Sequence, residues 1–286
     1  MEHNFPDIET GNSTIELVTP KELTKVIKTD INPRKSPGYD LITGELLQKL
    51  PRKAIIKLTN LINTAFRLCF NVPDIWKMAE IIMIPKHGKS ANKIKANIPI
   101  SLPPVLYKVS EKLLLKRIKP IIERKNLIPT HQITDVTEKA YENKKVCSAI
   151  FLDVAQAFDK VWHEGLVHKR QKMLPKQDTE LLKLYITTRM FRVKQEEAYS
   201  TIKEAKAGVP QGSVLGPMLY LLYTCNIPQK ENITMATFVD HSAIIAVGDN
   251  SEEASRKLQQ ASDNINNRAQ AWKIRINETT TLNISE

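Results

Sequence analysis

Asp153 closes the run Ala149-Ile150-Phe151-Leu152, so an acid stands where an apolar, strand-like segment reaches solvent. A carboxylate in that position can hold a hard divalent cation, and it can equally form a turn or cap a following helix. Asp240 belongs to Phe238-Val239-Asp240-His241 and ends the strand-like run 235–240, a very short polar break ahead of a second run over 243–247. So short a break is the pattern of a tight hairpin with Asp240 at its tip, where aspartate is also a common turn residue. A third stretch, Gly208-Val209-Pro210-Gln211-Gly212-Ser213-Val214-Leu215-Gly216-Pro217, sets glycines and prolines just ahead of an apolar segment. It reads as a loop of imposed shape. Taken singly, each of the three leaves a functional and a structural reading open.

Periodicity predicts the elements that must present these residues. Runs over 79–84, ended by Pro85, and over 147–152, ended by Asp153, read as buried strands. Helical spacing runs through Ile55, Ile56, Leu58, Leu61, Ile62, Ala65, Phe66 and Cys69, and again over 105–118, with Lys108, Lys112, Lys116 and Arg117 on the polar side. Further helices are expected over 159–173, 178–187 and 213–225. From Asn250 an amphipathic helix places Ala254, Leu258, Ala261, Ile265 and Trp272 in register, ahead of strand-like stretches near Ile274 and Leu282. Thr19, Pro20 and Glu22 form a capping-box start after a polar leader, residues 1–18. Helices and strands mix without strict alternation, which predicts an α+β fold with an antiparallel sheet.

The chain has 286 residues with 42% hydrophobic content, enough to bury a core, and 42 Lys and Arg against 31 Asp and Glu give a formal charge of +11. That field favours a polyanionic partner such as nucleic acid. Cys69, Cys147 and Cys225 are isolated from one another, so neither a disulfide framework nor a zinc site is indicated. The N-terminus lacks a signal-peptide pattern and no apolar stretch reaches the length of a membrane span. A soluble, intracellular protein with no membrane partner is expected.

Order and spacing join the three stretches: an acidic strand end with Ala157-Phe158-Asp159, then Gly-Val-Pro-Gln-Gly, then an aromatic-x-Asp hairpin. In that order they resemble the palm motifs of reverse transcriptases. The resemblance runs from about Val18 onward and is to jockey-like non-LTR retrotransposons; Lys35-Ser36-Pro37-Gly38-Tyr39-Asp40, Trp76 with 81–86, Pro99-Ile100-Ser101-Leu102, Phe191-Arg192-Val193 and Trp272 have equivalents there. It implies the fingers and palm of a right-hand polymerase, with fingers-like helices and inserted strands over 19–146, a palm over 147–286, and a thumb absent or incomplete. The implied activity is RNA-directed DNA polymerisation, on an RNA template and DNA primer with deoxynucleoside triphosphates. The implied cofactors are two magnesium ions, or manganese in their place. Asp153 and Asp240 match the metal ligands, Phe158 the ring that crowds the sugar 2′-carbon, Gln211 a residue near the nucleotide sugar, and Lys86 a cation near the triphosphate. An element-encoded nucleic-acid-binding protein and a nuclear or cytoplasmic ribonucleoprotein are the corresponding partner and setting, and the endonuclease and thumb regions of a complete element are not expected within these residues.

Departures from the family pattern accompany the resemblance. His241 stands where the second hairpin acid is expected, and imidazole suits transition metals better than magnesium. Ile98 replaces the arginine of an RPISL motif, losing a charge-assisted contact, and Thr280 replaces a lysine of the last palm motif. His131-Gln132 runs directly into Ile133-Thr134, where the family has an additional segment. Together these imply a decaying copy with impaired chemistry, or a non-catalytic remnant that still binds nucleic acid.

Overall fold

The computed structural model describes residues 16–68, 73–86, 88, 96–125, 127, 138, 140–154, 156–225, 233–238, 241–277 and 282–285. Packing interleaves the chain: the described residues of 1–122 and 167–216 form one compact unit, and those of 123–166 and 217–286 form another. The expected division at residue 147 follows the motifs, whereas these units follow contact.

In the first unit, Thr19 caps the helix Pro20–Lys25, its hydroxyl accepting from the Glu22 N–H at 3.1 Å. A π-helical turn, Val26–Asp30, continues it, and Leu23, Val26 and Ile27 are buried along one side. Tertiary bonds are already made ahead of the expected Thr19, the Glu16 carbonyl accepting from the Arg117 Nε–H at 3.0 Å. The Val18 N–H and C=O both bond the Asn63 amide, at 2.7 and 2.8 Å, on the helix Arg52–Leu68. Arg117 locks the same corner with two short bonds to the Glu22 carboxylate, at 2.6 and 2.7 Å. Arg117 lies on the helix Val105–Arg124, which continues through Pro120 and outruns its expected end at residue 118. A proline deep in a helix removes one hydrogen bond, and Val109, Leu113 and Ile118, all fully buried, hold this helix by packing instead.

The sheet of this unit orders its strands β2-β1-β4-β5, with β6 also on β4; the ranges are β1 Met78–Pro85, β2 Asn97–Leu102, β4 Met190–Gln195, β5 Ala198–Tyr199 and β6 Lys203–Glu204. β1 and β2 are antiparallel with Ile84 opposite Ile98, while β1 and β4 are parallel with Glu80 opposite Arg192. That register makes an ion pair, the Arg192 Nε–H donating to Glu80 at 3.0 Å, with Tyr39 and Tyr199 rings 4.5 and 4.0 Å from the guanidinium carbon. The parallel pair joins strands far apart in sequence.

The second unit holds an antiparallel sheet in the order β7-β8-β3-β9, with β3 Val146–Asp153, β7 Ile233–Phe238, β8 His241–Gly248 and β9 Leu282–Ser285. The helix Ser251–Ala271 lays Leu258, Ala261 and Ile265 on Ile150, Leu152, Ile244 and Ala246. Asn250 caps it by accepting from the Glu253 N–H at 2.9 Å, and Glu253 reaches back to the Asp249 N–H at 2.8 Å. The first bond satisfies a donor that the first helical turn leaves open, and the second ties the chain just ahead of the cap to that turn. Gly216–Thr224 is a short apolar helix, and its Leu219, Tyr220, Leu222 and Tyr223 are buried.

Helix starts move from their expected places for local reasons. The helix expected from Asp159 begins at His163, because Gln156 takes φ 55° and its carbonyl turns back to the N–H groups of Asp159 and Lys160. The one expected from Ser213 begins at Gly216, whose N–H donates to the Ser213 hydroxyl at 2.8 Å.

Asp178 lies in the first turn of the helix Lys176–Ile186 and is only 4% exposed. The helix dipole favours its charged form, yet burial outweighs that and pushes the carboxyl up to about 6. An acid whose folded pKa is raised adds stability that is fully present below its unfolded pKa, near 4, and is lost as pH rises through the folded value. Asp178→Asn should therefore be more stable than the parent by about 3 kcal/mol at pH 8, with the advantage gone below pH 4. Urea unfolding at both pH values checks this; a difference that does not change with pH would refute it.

Candidate active site

β3 and β8 pair in a register that sets Asp153 opposite His241, and His241 also faces Phe238 across the β7–β8 pair. The end of β3, where the acid was expected, therefore neighbours the start of β8. Val239, Asp240 and Thr280 lie outside the described residues, as do the residues flanking the 132–133 junction. The expected tip position of Asp240 is among the readings that fall there.

The Asp153 carboxylate accepts from the Asn277 side-chain amide at 3.1 Å, and the Asp153 carbonyl accepts from the Asn277 backbone N–H at 2.8 Å. Sequence reasoning missed Asn277, which lies in a polar stretch well over a hundred residues downstream. Its one signal was the neighbouring Ile276, which bridges Val154 in antiparallel fashion and extends the sheet edge past β3. Asn277 is neutral, so its bond fixes the carboxylate without cancelling the negative charge that a cation would require. Hard carboxylate oxygen is the donor type that magnesium takes, so Asp153 fits such an ion. Five residues on, the Phe158 ring packs on Tyr220 with centroids 5.4 Å apart.

The remaining expected residues belong to the first unit. Ile98 sits opposite Ile84 in β2 and is 37% exposed, an apolar side chain on an open strand face. Lys86 follows β1, and its N–H donates to the Ala96 carbonyl at 2.7 Å, bringing the two strand ends together. Gln211 is carried against β2: its carbonyl accepts from the Ser101 N–H at 2.9 Å. Gly212 follows with φ 106°, and a Cβ there would stand 2.7 Å from the Ser101 carbonyl oxygen. Only glycine lets the backbone approach so closely in that conformation. Thus Lys86 follows β1, Ile98 lies in β2 and Gln211 is bonded to β2, while Asp153 and His241 sit at the paired ends of β3 and β8 and Phe158 packs on Tyr220 of the helix Gly216–Thr224.

Glu111, also missed from the sequence, anchors the Gln211 loop from below. It is 1% exposed, accepts from the Val214 N–H at 2.8 Å and from the Tyr185 hydroxyl, and burial pushes its carboxyl up. Tyr185 stacks on Tyr107 with centroids 5.3 Å apart, and the Arg189 guanidinium lies 5.5 and 5.3 Å from the two ring centres. Periodicity could have found it, since Tyr107, Ser110, Glu111, Leu114 and Ile118 follow the spacing of a buried helical face.

Among solved structures, the chain resembles telomerase from Candida tropicalis, in a structure with a TWJ fragment of telomeric RNA. The TM-score is 0.54 at 15% identity over 85% of this chain and 45% of that one, a likeness of fold. In sequence it is 33% identical to a probable RNA-directed DNA polymerase from transposon BS and 36% identical to one from transposon X-element, both of Drosophila melanogaster, over 94% and 93% of this chain. It is 32% identical to the RNA-directed DNA polymerase from mobile element jockey of the same fly, over 95% of this chain. The chain spans about a third of the length of these relatives, 32%, 31% and 32% respectively. Residues 84–283, which hold β2, the β3–β8 pair, the glycine loop and Asp153, match the family described as reverse transcriptase (RNA-dependent DNA polymerase), and the chain belongs to that family.

Proposed function

We propose that this chain is the polymerase segment of a retrotransposon protein that copies RNA into DNA, with its chemistry weakened in this copy. The observation that carries the reading is the register of β3 with β8, which brings the end bearing Asp153 beside the residue following Asp240. Two divalent cations, when bound, activate the primer 3′-hydroxyl and neutralise the charge that builds on the triphosphate. Asp153 and Asp240 hold them; His241 cannot add the negative charge of the acid it replaces. Phe158, its ring braced by Tyr220, meets the sugar at the 2′-carbon and rejects ribonucleotides by steric clash. Gln211, fixed by the Gly212 approach to β2, meets the nucleotide sugar, and Lys86 meets the triphosphate. In this reading residues 19–146 serve as fingers and 147–286 as palm, and the +11 charge draws the RNA template and DNA primer to the protein.

The test uses an RNA template with an annealed DNA primer, deoxynucleoside triphosphates and magnesium. Slow extension that Asp153→Ala abolishes is expected, together with duplex binding that falls at least tenfold between about 50 and 200 mM salt. Extension indifferent to Asp153→Ala defeats the site assignment. No extension with salt-sensitive binding retained would instead favour a non-catalytic nucleic-acid-binding remnant, a second reading that rests on His241 and the exposed Ile98.

A further inference from the structure

The helix Ser251–Ala271 ends in a way that aims the following chain at Asp153. Trp272 is its C-cap, Lys273 takes the left-handed conformation at φ 55°, and the N–H groups of Lys273 and Ile274 turn back to the carbonyls of Gln270 and Ala269, at 3.1 and 2.7 Å. This is the bonding of a Schellman stop, usually made with glycine at the left-handed position. Lysine is strained there, and its neighbours compensate: the Lys273 ammonium lies 4.2 Å from the centre of the Trp162 ring. Trp162 and Trp272 pack at 6.4 Å, Tyr223 meets Trp272 edge-on at 6.1 Å, and the Tyr223 hydroxyl donates to the Trp272 carbonyl. The turn is thus clamped before the chain runs to Ile276 and Asn277.

From this geometry we infer that Asn277 is a positioning residue for the cation-binding carboxylate of Asp153. Its side-chain amide fixes one carboxylate oxygen at 3.1 Å while its backbone N–H fixes the Asp153 carbonyl at 2.8 Å, so both the side chain and the strand end are held by one residue. A carboxylate on a frayed strand end samples several rotamers, and a cation must select one of them at a cost in affinity. Asn277 makes that selection in advance, and an uncharged donor does so without competing with the cation for the carboxylate charge. The inference rests on the proposed role of Asp153 as a cation ligand.

Manganese alone serves as the probe, titrated into the full chain while the electron paramagnetic resonance signal of the free ion is followed. Asp153→Ala, Asn277→Leu and Asn277→Ser are compared with the parent, and near-ultraviolet circular dichroism reports the Trp162 and Trp272 clamp. Leucine keeps the volume and the backbone N–H but has no side-chain donor, whereas serine keeps a donor on a shorter arm. Expected is a loss of about tenfold in manganese affinity for Asn277→Leu, a smaller loss for Asn277→Ser, and an unchanged tryptophan signal in both. If Asp153→Ala weakens binding and Asn277→Leu binds as the parent does, the inference fails and the role of Asp153 stands. If Asp153→Ala leaves binding unchanged, the reading of Asp153 fails and takes the inference with it. Equal losses in both Asn277 variants, with the tryptophan signal collapsed, would overturn the inference in favour of a purely structural bond.

Discussion

His241→Asp, made in a chain that also carries Ile98→Arg, Thr280→Lys and the family's additional segment between Gln132 and Ile133, should raise magnesium-dependent primer extension about 100-fold. His241 opens β8 directly opposite Asp153, so its position faces the strand end assigned to the cations. In the proposed reading a triphosphate and two divalent ions would concentrate charge there, and carboxylates would be needed to answer it. Imidazole is neutral or positive, and as a nitrogen donor it favours transition metals whose geometry differs from the octahedral shell of magnesium. The repaired background is needed because, in the proposed reading, Ile98, an exposed apolar group on the β2 face in place of an expected arginine, limits the rate as well. Comparable extension rates with His and with Asp at position 241 would show that the imidazole is harmless.

The contrast between Asp153 and Asn277 shows which parts of the site a sequence can reveal. Asp153 was legible because a largely apolar run announces a strand, and the first charged residue after the run marks its end; the strand was expected to be buried throughout, yet it buries Ser148, Ile150 and Leu152 on one face and leaves Phe151 exposed. Order then carried the rest: the glycine loop and the hairpin gained meaning only by following Asp153 at family spacing. Asn277 belongs to a short polar stretch with no period, and its role exists only once β3 and the chain after Trp272 are side by side. The long helices were legible from their apolar faces, whereas β2 and β4 were not read as strands. Asn97–Leu102 contains Pro99 and is largely half-buried, and Met190–Gln195 is half-buried almost throughout, so neither shows a clear two-residue alternation. Their place comes from pairing with β1, a tertiary fact.

Glu111→Ala should cost about 3–5 kcal/mol in stability, while Glu111→Gln should cost under about 1 kcal/mol. The alanine variant leaves the Tyr185 hydroxyl and the Val214 N–H without their acceptor in a dry interior, beside the buried Arg189 guanidinium. It also enlarges a cavity of about 40 Å³ already lined by Tyr107, Ser110 and Tyr185. Glutamine keeps a carbonyl acceptor in nearly the same volume, so either bond can persist. The two variants differ again with pH. Burial raises the folded pKa of Glu111 above its unfolded value, the hydrogen bonds and Arg189 offsetting part of the rise. Its stabilising contribution is therefore fully present below the unfolded pKa and declines as pH climbs through the folded one; Glu111→Gln should remove that decline. Denaturant unfolding between pH 4 and pH 8 reads both effects, and a parent and glutamine variant with parallel pH profiles would sink the second. The consequence for function travels through Val214, three residues beyond Gln211. With its acceptor gone, the Val214 amide should exchange with solvent faster by about two orders of magnitude in Glu111→Ala and nearly as slowly as in the parent in Glu111→Gln. The loop that carries Gln211 would then keep its Ser101 tie on one side and lose its anchor on the other. Nucleotide affinity should therefore fall in Glu111→Ala while the manganese affinity at Asp153 stays unchanged, which separates damage to the loop from damage to the cation site.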